Sequence, residues 1–489
     1  MERQVPEAKQ PGSETGRALV RGLRWTGFGT ALNRIIHVAF TVVILQKLSF
    51  GEMGRWAAIW SVMVVFEAFN GLGVSFAIVR MRELSGAALR SLFWVSTFWG
   101  VVQALVLAAA APSIGRWYSE PALPSLLLVV CLKLVLVGPA MVPVGLIGKR
   151  LGFRDATMAD TIAGVFEVGT SIALVLAGYG VFGLVWGTTT RAFVYLLVVF
   201  ALEPIRPSFR IPFAEVGGAI WFGLHVVASN LVYQLYRNMD YFLIGLRLGV
   251  EPLGVYRVGF EVGMSPSETT AGVAIRAAYP VLASVSQDPP AIREAFAGTA
   301  RSLWLFLLPI AGLIAIEGHD LVATIAAPRW LAAVPVVQVL CWAGVIRGLV
   351  QLFAPLFQAI GRPHLAFYES LLTAALSVGG FFLAIALAPP GQAILWVAWV
   401  WILVYPLVLL FDLALARRFA SLHAMDLVRA LGPLLPGVPV MLGAMALMAH
   451  YTASFRSTPR LLVVGGVGLA IAYVYHRIFL ARNRMTDRA

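Results

Sequence analysis

Nine ionisable side chains of this sequence stand inside long apolar stretches, where water cannot solvate them. Arg34, Lys133, Arg191 and Arg347 fall near the middle of such stretches, and Arg237 lies nearer one end. The acids at comparable depth are Glu67, Glu167, Glu261 and Glu268. A charge at a bilayer centre costs about 2.5–3.5 kcal/mol on insertion scales, so nine of them facing lipid would cost on the order of 25 kcal/mol. No folded state spares that much. These groups must therefore face one another or a hydrated interior. The chemistry open to them is of two kinds. A guanidinium stays charged and grips phosphate or carboxylate with two hydrogen bonds. An embedded carboxylate binds H⁺ or another small cation.

Spacing separates these groups further. Arg237 with Asp240, and Arg257 with Glu261, have the i,i+3 and i,i+4 spacing of helical ion pairs and can neutralise each other locally. Arg34 has no acid in its own stretch, which leaves Glu67 on the next stretch or an anionic ligand. Arg191 and Arg347 also lack an acid within four residues, so all three arginines are candidates for direct substrate contact. Asn33, Asn70, Ser229, Asn230, Gln234 and Asn238 add uncharged polar groups that suit either a hydrated path or helix-to-helix hydrogen bonds. The candidate substrate-binding set includes Asn33, Asn230 and Gln234, and the candidates for ion coupling are Glu67, Glu261, Glu268 and Asp240.

The elements that must position these groups follow from composition. The chain of 489 residues is 60% hydrophobic and 12% charged, with a mean hydropathy of +0.84. A soluble domain is about 45–50% apolar and 25% charged. This is an all-α polytopic membrane protein. At about 20 apolar residues per crossing, fourteen spans are legible: 24–46, 54–78, 89–112, 124–147, 157–178, 181–201, 216–246, 252–277, 300–318, 332–359, 365–388, 392–414, 428–450 and 460–480. The fifth and sixth, and the eleventh and twelfth, are split only by Gly178–Gly180 and Pro389–Gly391, which predicts tight hairpins. Pro139, Pro143, Pro266, Pro309, Pro355 and Pro406 are candidate kinks. No connector is long enough for an attached soluble domain. Loops on the side of the two termini carry about three times the Lys and Arg of the opposite side, which places both termini in the cytoplasm.

A faint repeat divides the chain. At an offset of 200, Leu48-Ser49-Phe50…Gly54-Arg55-Trp56 falls on Leu248-Gly249-Val250…Gly254-Val255-Tyr256. Further on, at an offset of 213, Gly148-Lys149-Arg150 meets Gly361-Arg362-Pro363. Six spans separate the copies, so the halves have equal topology, as parallel repeats do. The expected organisation is a disordered cytoplasmic tail (1–20), an N-terminal lobe (21–205), a C-terminal lobe (206–418), two appended helices (419–482) and a short cytoplasmic tail (483–489).

Other chemistries are disfavoured. The net charge of +13 and a pI near 10.1 do not indicate nucleic acid, because the basic residues are scattered on loops, where they contact anionic lipid. Cys131 and Cys341 lie within apolar spans, which argues against a disulfide or zinc. The nearest approach to a phosphate-binding loop, Gly145-Leu-Ile-Gly-Lys149, has the wrong spacing. No paired histidines and no Ser/His/Asp set stand out, so neither a metal centre nor hydrolysis is expected. A gated carrier remains, with no cofactor beyond a coupling H⁺ or Na⁺.

Two segments resemble a known family. They are Ser229-Asn-Leu-Val-Tyr-Gln-Leu-Tyr-Arg-Asn-Met-Asp-Tyr-Phe-Leu-Ile-Gly245 with Leu248-Gly…Leu253-Gly-Val-Tyr256, and Pro143-Val-Gly-Leu-Ile-Gly-Lys-Arg-Leu-Gly-Phe-Arg154 with Gly178-Tyr-Gly180. They are similar to the Wzx-type polysaccharide-unit flippases of the multidrug/oligosaccharidyl-lipid/polysaccharide superfamily, in the branch of the colanic-acid exporters. The resemblance implies two six-helix lobes around a central cavity plus two C-terminal helices. It implies an alternating-access carrier that moves an undecaprenyl-diphosphate-linked oligosaccharide from the cytoplasmic to the periplasmic leaflet of the bacterial inner membrane. A polysaccharide polymerase and a chain-length regulator would be partners. In this family the cavity tends to be cationic, and Arg34, Arg237 and Arg257 are the matching positions; Glu67, Glu261 and Glu268 depart from that pattern. Helices 13 and 14 would help form a groove for the lipid tail. The alternatives are a cation-coupled multidrug antiporter of the same superfamily, for which an acid rather than Arg34 would be expected in the first span, and a membrane polymerase or ligase, which would need a large outer loop.

Overall fold

The computed structural model describes residues 32–33, 36–81, 85–205, 221, 231, 234, 237–453 and 457–486. The described residues are helical and contain no strand. In chain order the helices are α1 (Ile36–Lys47), α2 (Phe50–Ala68), α3 (Val74–Arg80), α4 (Gly86–Trp117), α5 (Leu123–Lys149), α6 (Phe153–Leu176), α7 (Val181–Leu202), α8 (Met239–Leu248), α9 (Val250–Gly263), α10 (Ser265–Ser284) and α11 (Pro289–Ile325). They continue with α12 (Val334–Val350), α13 (Phe353–Ala359), α14 (Pro363–Leu387), α15 (Ala393–Phe419), α16 (Ala424–Leu431), α17 (Gly437–Tyr451) and α18 (Ser457–Thr486).

Eleven stretches among the described residues are helical, long and apolar enough to cross a membrane. The fourteen expected spans differ from these at three places. The first is described only as the shorter helix α1. The seventh, 216–246, lies largely outside the described residues. The eighth is divided at Met264 into a short α9 and a more polar α10 that carries Glu268 and Arg276. The expected tail at 1–20 also lies outside the described residues.

The chain forms two compact units, one of Met1–Leu48 with Ile59–Leu235 and the other of Ser49–Ala58 with Tyr236–Ala489. In the first unit, α4 and α5 approach closely because glycines face backbone. A Cβ on Gly138 would lie 2.5 Å from the Ser96 carbonyl oxygen, and one on Gly100 would lie 2.7 Å from that of Leu134. Small residues at such crossings are how helices pack where no hydrophobic effect drives them together. Ile78, Leu92, Phe93 and Val142 bury a shared core among α3, α4 and α5. Between α2 and α3 the helix breaks at Asn70–Gly73, with Gly71 at φ +58° and Gly73 at φ +69°. A break in lipid exposes carbonyls that must find donors. Here Gln103 donates from Nε2 to the Phe66 oxygen at 2.7 Å, and Trp99 donates from Nε1 to that of Phe69 at 2.8 Å. The hairpin between α6 and α7 turns on Gly178 at φ +90° and Gly180 at φ +55°.

In the second unit, the start of α2 crosses α9. A Cβ on Gly54 would sit 1.6 Å from the Val250 oxygen, and one on Gly254 would sit 2.2 Å from the Phe50 oxygen. These are the two glycines related by the 200-residue offset. Phe50 also meets Trp330 edge-on at 4.9 Å. α5, α11 and α15 run unbroken through Pro139, Pro143, Pro309 and Pro406, whereas breaks occur beside Pro266 and Pro355. α18 packs on α11 and α17. Arg460 fixes it there, with Nη2 3.0 Å from Glu317 and Nη1 2.7 Å from Asp320.

Candidate functional site

Among the described residues, two charge clusters are embedded within the spans of the first unit, apart from the more exposed network of Arg150 with Asp155 and Glu203. Lys133 on α5 donates from Nζ to Glu67 on α2 at 2.6 Å, with its ammonium 6.0 Å from the centre of the Trp60 ring. Glu67 therefore has a partner that is neither Arg34 nor a ligand. Arg191 on α7 reaches across to α6, with Nη1 2.7 Å from Glu167 and Nη2 2.6 Å from Asp160. The other Asp160 oxygen accepts from the side-chain amide of Asn33 at 3.2 Å. Arg191 is thus shared between two carboxylates of the neighbouring helix. Asp160 is a site residue that sequence reasoning missed. Its signal was present, since Asp160 and Glu167 are seven residues apart and lie two turns along one helical face.

The second unit holds the densest cluster. Arg237 donates from Nη2 to both oxygens of Glu268 at 3.1 Å, and Arg347 on α12 donates from Nη1 to the same carboxylate. Two guanidiniums from different helices thus converge on one acid of α10. Arg347 is buried, its guanidinium 6.0 Å from the centre of the Tyr405 ring. The expected pairing of Arg237 with Asp240 is not what forms. Asn238 leaves helical geometry (φ −116°, ψ 9°), so the i,i+3 neighbourhood is lost where α8 begins. Asp240 is fully buried and accepts from the Tyr256 hydroxyl at 2.8 Å and from the Tyr241 backbone N–H at 2.9 Å. Trp401 Nε1 donates in turn to the Tyr256 hydroxyl at 3.0 Å, so a polar chain joins α15, α9 and α8. Arg257 stands 6.0 Å from the Tyr241 ring centre, a cation–π contact on α9 rather than a link to Glu261, which is half-buried on the same helix. Gln234 is half-buried. Arg34 and Asn230 lie outside the described residues.

On the outer side of α11, the helices α17 and α18 leave an apolar cleft lined by Leu305, Pro309, Leu434, Met441, Ile471 and Tyr475. Its wall offers almost no polar atom.

This arrangement is that of a multi-pass helical membrane protein with charge clusters held between helices. Residues 44–335 match the family described as "Polysaccharide biosynthesis protein", and the chain belongs to that family. Among relatives, it is 23% identical to the teichuronic acid biosynthesis protein TuaB of Bacillus subtilis over 79% of this chain and 80% of that one. It is 20% identical to the lipopolysaccharide biosynthesis protein WzxC of Escherichia coli over 71% of each chain. It is 21% identical to the succinoglycan biosynthesis transport protein ExoT of Rhizobium meliloti over 69% of each. It is similar in fold to the lipid II flippase MurJ, a structure described as inward closed (TM-score 0.76, 12% identity, 94% of this chain and 99% of that one). It is also similar in fold to a MATE-family multidrug resistance transporter of the MOP superfamily (TM-score 0.64, 16% identity, 80% of this chain and 96% of that one).

Proposed function

We propose that this protein is a flippase that carries an undecaprenyl-diphosphate-linked oligosaccharide, the repeat unit of a surface polysaccharide, from the cytoplasmic to the periplasmic leaflet of the inner membrane. Both termini lie in the cytoplasm in this reading. The polymerase and chain-length regulator that use the repeat unit are its functional partners, and its basic loops rest on anionic lipid. The observation that carries the proposal is a polysaccharide-biosynthesis family match on a carrier scaffold whose α11, α17 and α18 enclose an apolar cleft. Such a substrate has three parts with three chemistries. The prenyl tail suits the cleft. The diphosphate cannot cross about 30 Å of hydrocarbon bare, and Arg34, Arg191, Arg237, Arg257 and Arg347 are its candidate partners. The sugars suit Asn33, Asn230 and Gln234. A proton or sodium gradient drives the cycle, with Glu67, Glu261, Glu268 and Asp240 as candidate coupling groups.

The test is lipid analysis of cells lacking the protein. The diphosphate-linked oligosaccharide accumulates on the cytoplasmic side while surface polysaccharide is lost. Wild type restores export, and an Arg237→Ala/Arg347→Ala double variant present at normal level does not. Normal surface polysaccharide in a strain with no second carrier would overturn the proposal.

A further inference from the structure

One pair of embedded acids belongs to none of the clusters above. α14 and α15 form an antiparallel hairpin in which the Phe381 ring meets Trp401 at 5.2 Å and the bare face of Gly380 receives Val400. Glu369 lies twelve residues before Phe381, and Asp412 lies eleven after Trp401. With a rise of about 1.5 Å per residue the two carboxyls come level, roughly 10 Å inside the helix ends. The field of Glu369 falls on Asp412. Asp412 is fully buried with no hydrogen-bond partner for either carboxylate oxygen, and Oε2 of Glu369 is buried and likewise without one.

No cation compensates them among the described residues. Arg362 and Arg418, at the hairpin's open end, stack on Phe419 at 4.4 and 5.4 Å, and Arg417 is exposed. On the same helix as Glu369, His364 meets Tyr368 at 6.1 Å, both at the exposed entry. Of the helices packed on the hairpin, α12 offers Arg347, which is bound to Glu268, and α8 offers Asp240, which is bound to Tyr256, and Arg247. α9 touches α15 and carries Glu251, Arg257 and Glu261, with Arg257 over the Tyr241 ring. α13 carries no ionisable group.

Two carboxylates at one level of an apolar hairpin cannot both ionise without a counter-ion. We propose that Glu369 and Asp412 hold a single proton between them, forming a proton-binding site near the basic end of the α14–α15 hairpin. One carboxyl is the acid and the other remains a carboxylate, so the pair carries one negative charge instead of two. A hard metal ion is a poorer occupant, since it asks for about six oxygen ligands. The Thr373 hydroxyl is spent on the Glu369 carbonyl at 2.8 Å, and Ser377 lies two turns further along α14. Release of the proton would place two like charges in the hairpin, which ties its packing to the proton. As the coupling ion of transport this proton rests on the flippase reading, whereas its binding does not.

The test uses the full-length protein in lipid nanodiscs and dicyclohexylcarbodiimide, which modifies protonated carboxyls in apolar surroundings, with sites read by peptide mass spectrometry. Modification of Glu369 or Asp412 at neutral pH is expected, falling about tenfold or more toward pH 10 and indifferent to added NaCl. In Glu369→Gln the midpoint for Asp412 drops by about one pH unit or more, because a like charge has been removed. No modification in wild type across this range, an unchanged midpoint in the variant, or suppression by NaCl would each overturn the proposal. The wild-type profile needs no variant to fold. Translocation of a diphosphate-linked oligosaccharide in vesicles is read separately: labelling as expected without translocation keeps the proton site and removes the flippase reading.

Discussion

The two units treat most of their embedded charge in different ways. In the first, each embedded acid of the two clusters meets a base on another helix: Glu67 meets Lys133, and Asp160 and Glu167 share Arg191. These contacts are struts that set which helix faces touch. In the second, Arg460 is matched to Glu317 and Asp320, but elsewhere two arginines crowd one acid, Asp240 has hydroxyl and amide partners in place of a cation, and Glu369 and Asp412 have none among the described residues. Matched pairs rigidify, because removing one member strands the other. Mismatched groups are free to change partner, proton or ligand. The comparison weights the second unit's charges toward binding, while Arg191 and Glu67 would serve substrate or ion only by leaving the partners they hold here.

The largest effect that would sharpen this contrast is expected from Lys133→Met. It strands Glu67 and should cost about 3 kcal/mol, seen as lost membrane yield and an earlier thermal transition. Adding Glu67→Gln should restore most of it. If the single variant is as stable as wild type, the strut assignment breaks. Next comes Gly254→Leu, whose side chain would enter the backbone of α2 at Phe50; overpacking of this kind costs about 1–3 kcal/mol, and thermal unfolding reads it. In the second unit, Glu268→Gln should alter ligand binding more than stability. With the acid gone, Arg237 and Arg347 should hold a prenyl diphosphate about tenfold more tightly, or about 1.4 kcal/mol, measured by titration in detergent. Unchanged affinity would remove this cluster from the phosphate site. The smallest effect is expected at Arg150, which is 45% exposed beside Asp155 and Glu203. Water screens that network, so Arg150→Ala should shift stability by less than about 1 kcal/mol.

Much of this molecule was legible before any fold was known. The apolar spans follow from bilayer thickness and helical rise, and the hairpins at Gly178–Gly180 and Gly391 follow from backbone that only glycine adopts easily. The requirement that Arg191, Arg347 and Glu268 find company follows from the cost of charge in hydrocarbon. The identity of that company was not legible, because helical spacing reports only neighbours on the same helix. It suggested Asp240 for Arg237, whereas the break at Asn238 turned Arg237 to Glu268.

The sequence by itself determined that this is a helical membrane protein with groups that cannot face lipid, since composition and length set those through solvation alone. Tertiary structure decided which groups met. It joined Gly54 to Gly254 across 200 residues and Arg460 to Glu317 across 143, and it brought Glu369 and Asp412 to one level of a hairpin with no base paired to either among the described residues. The physical reason is that solvation dictates whether a residue must be buried, while the partner it finds there depends on which helix faces pack together.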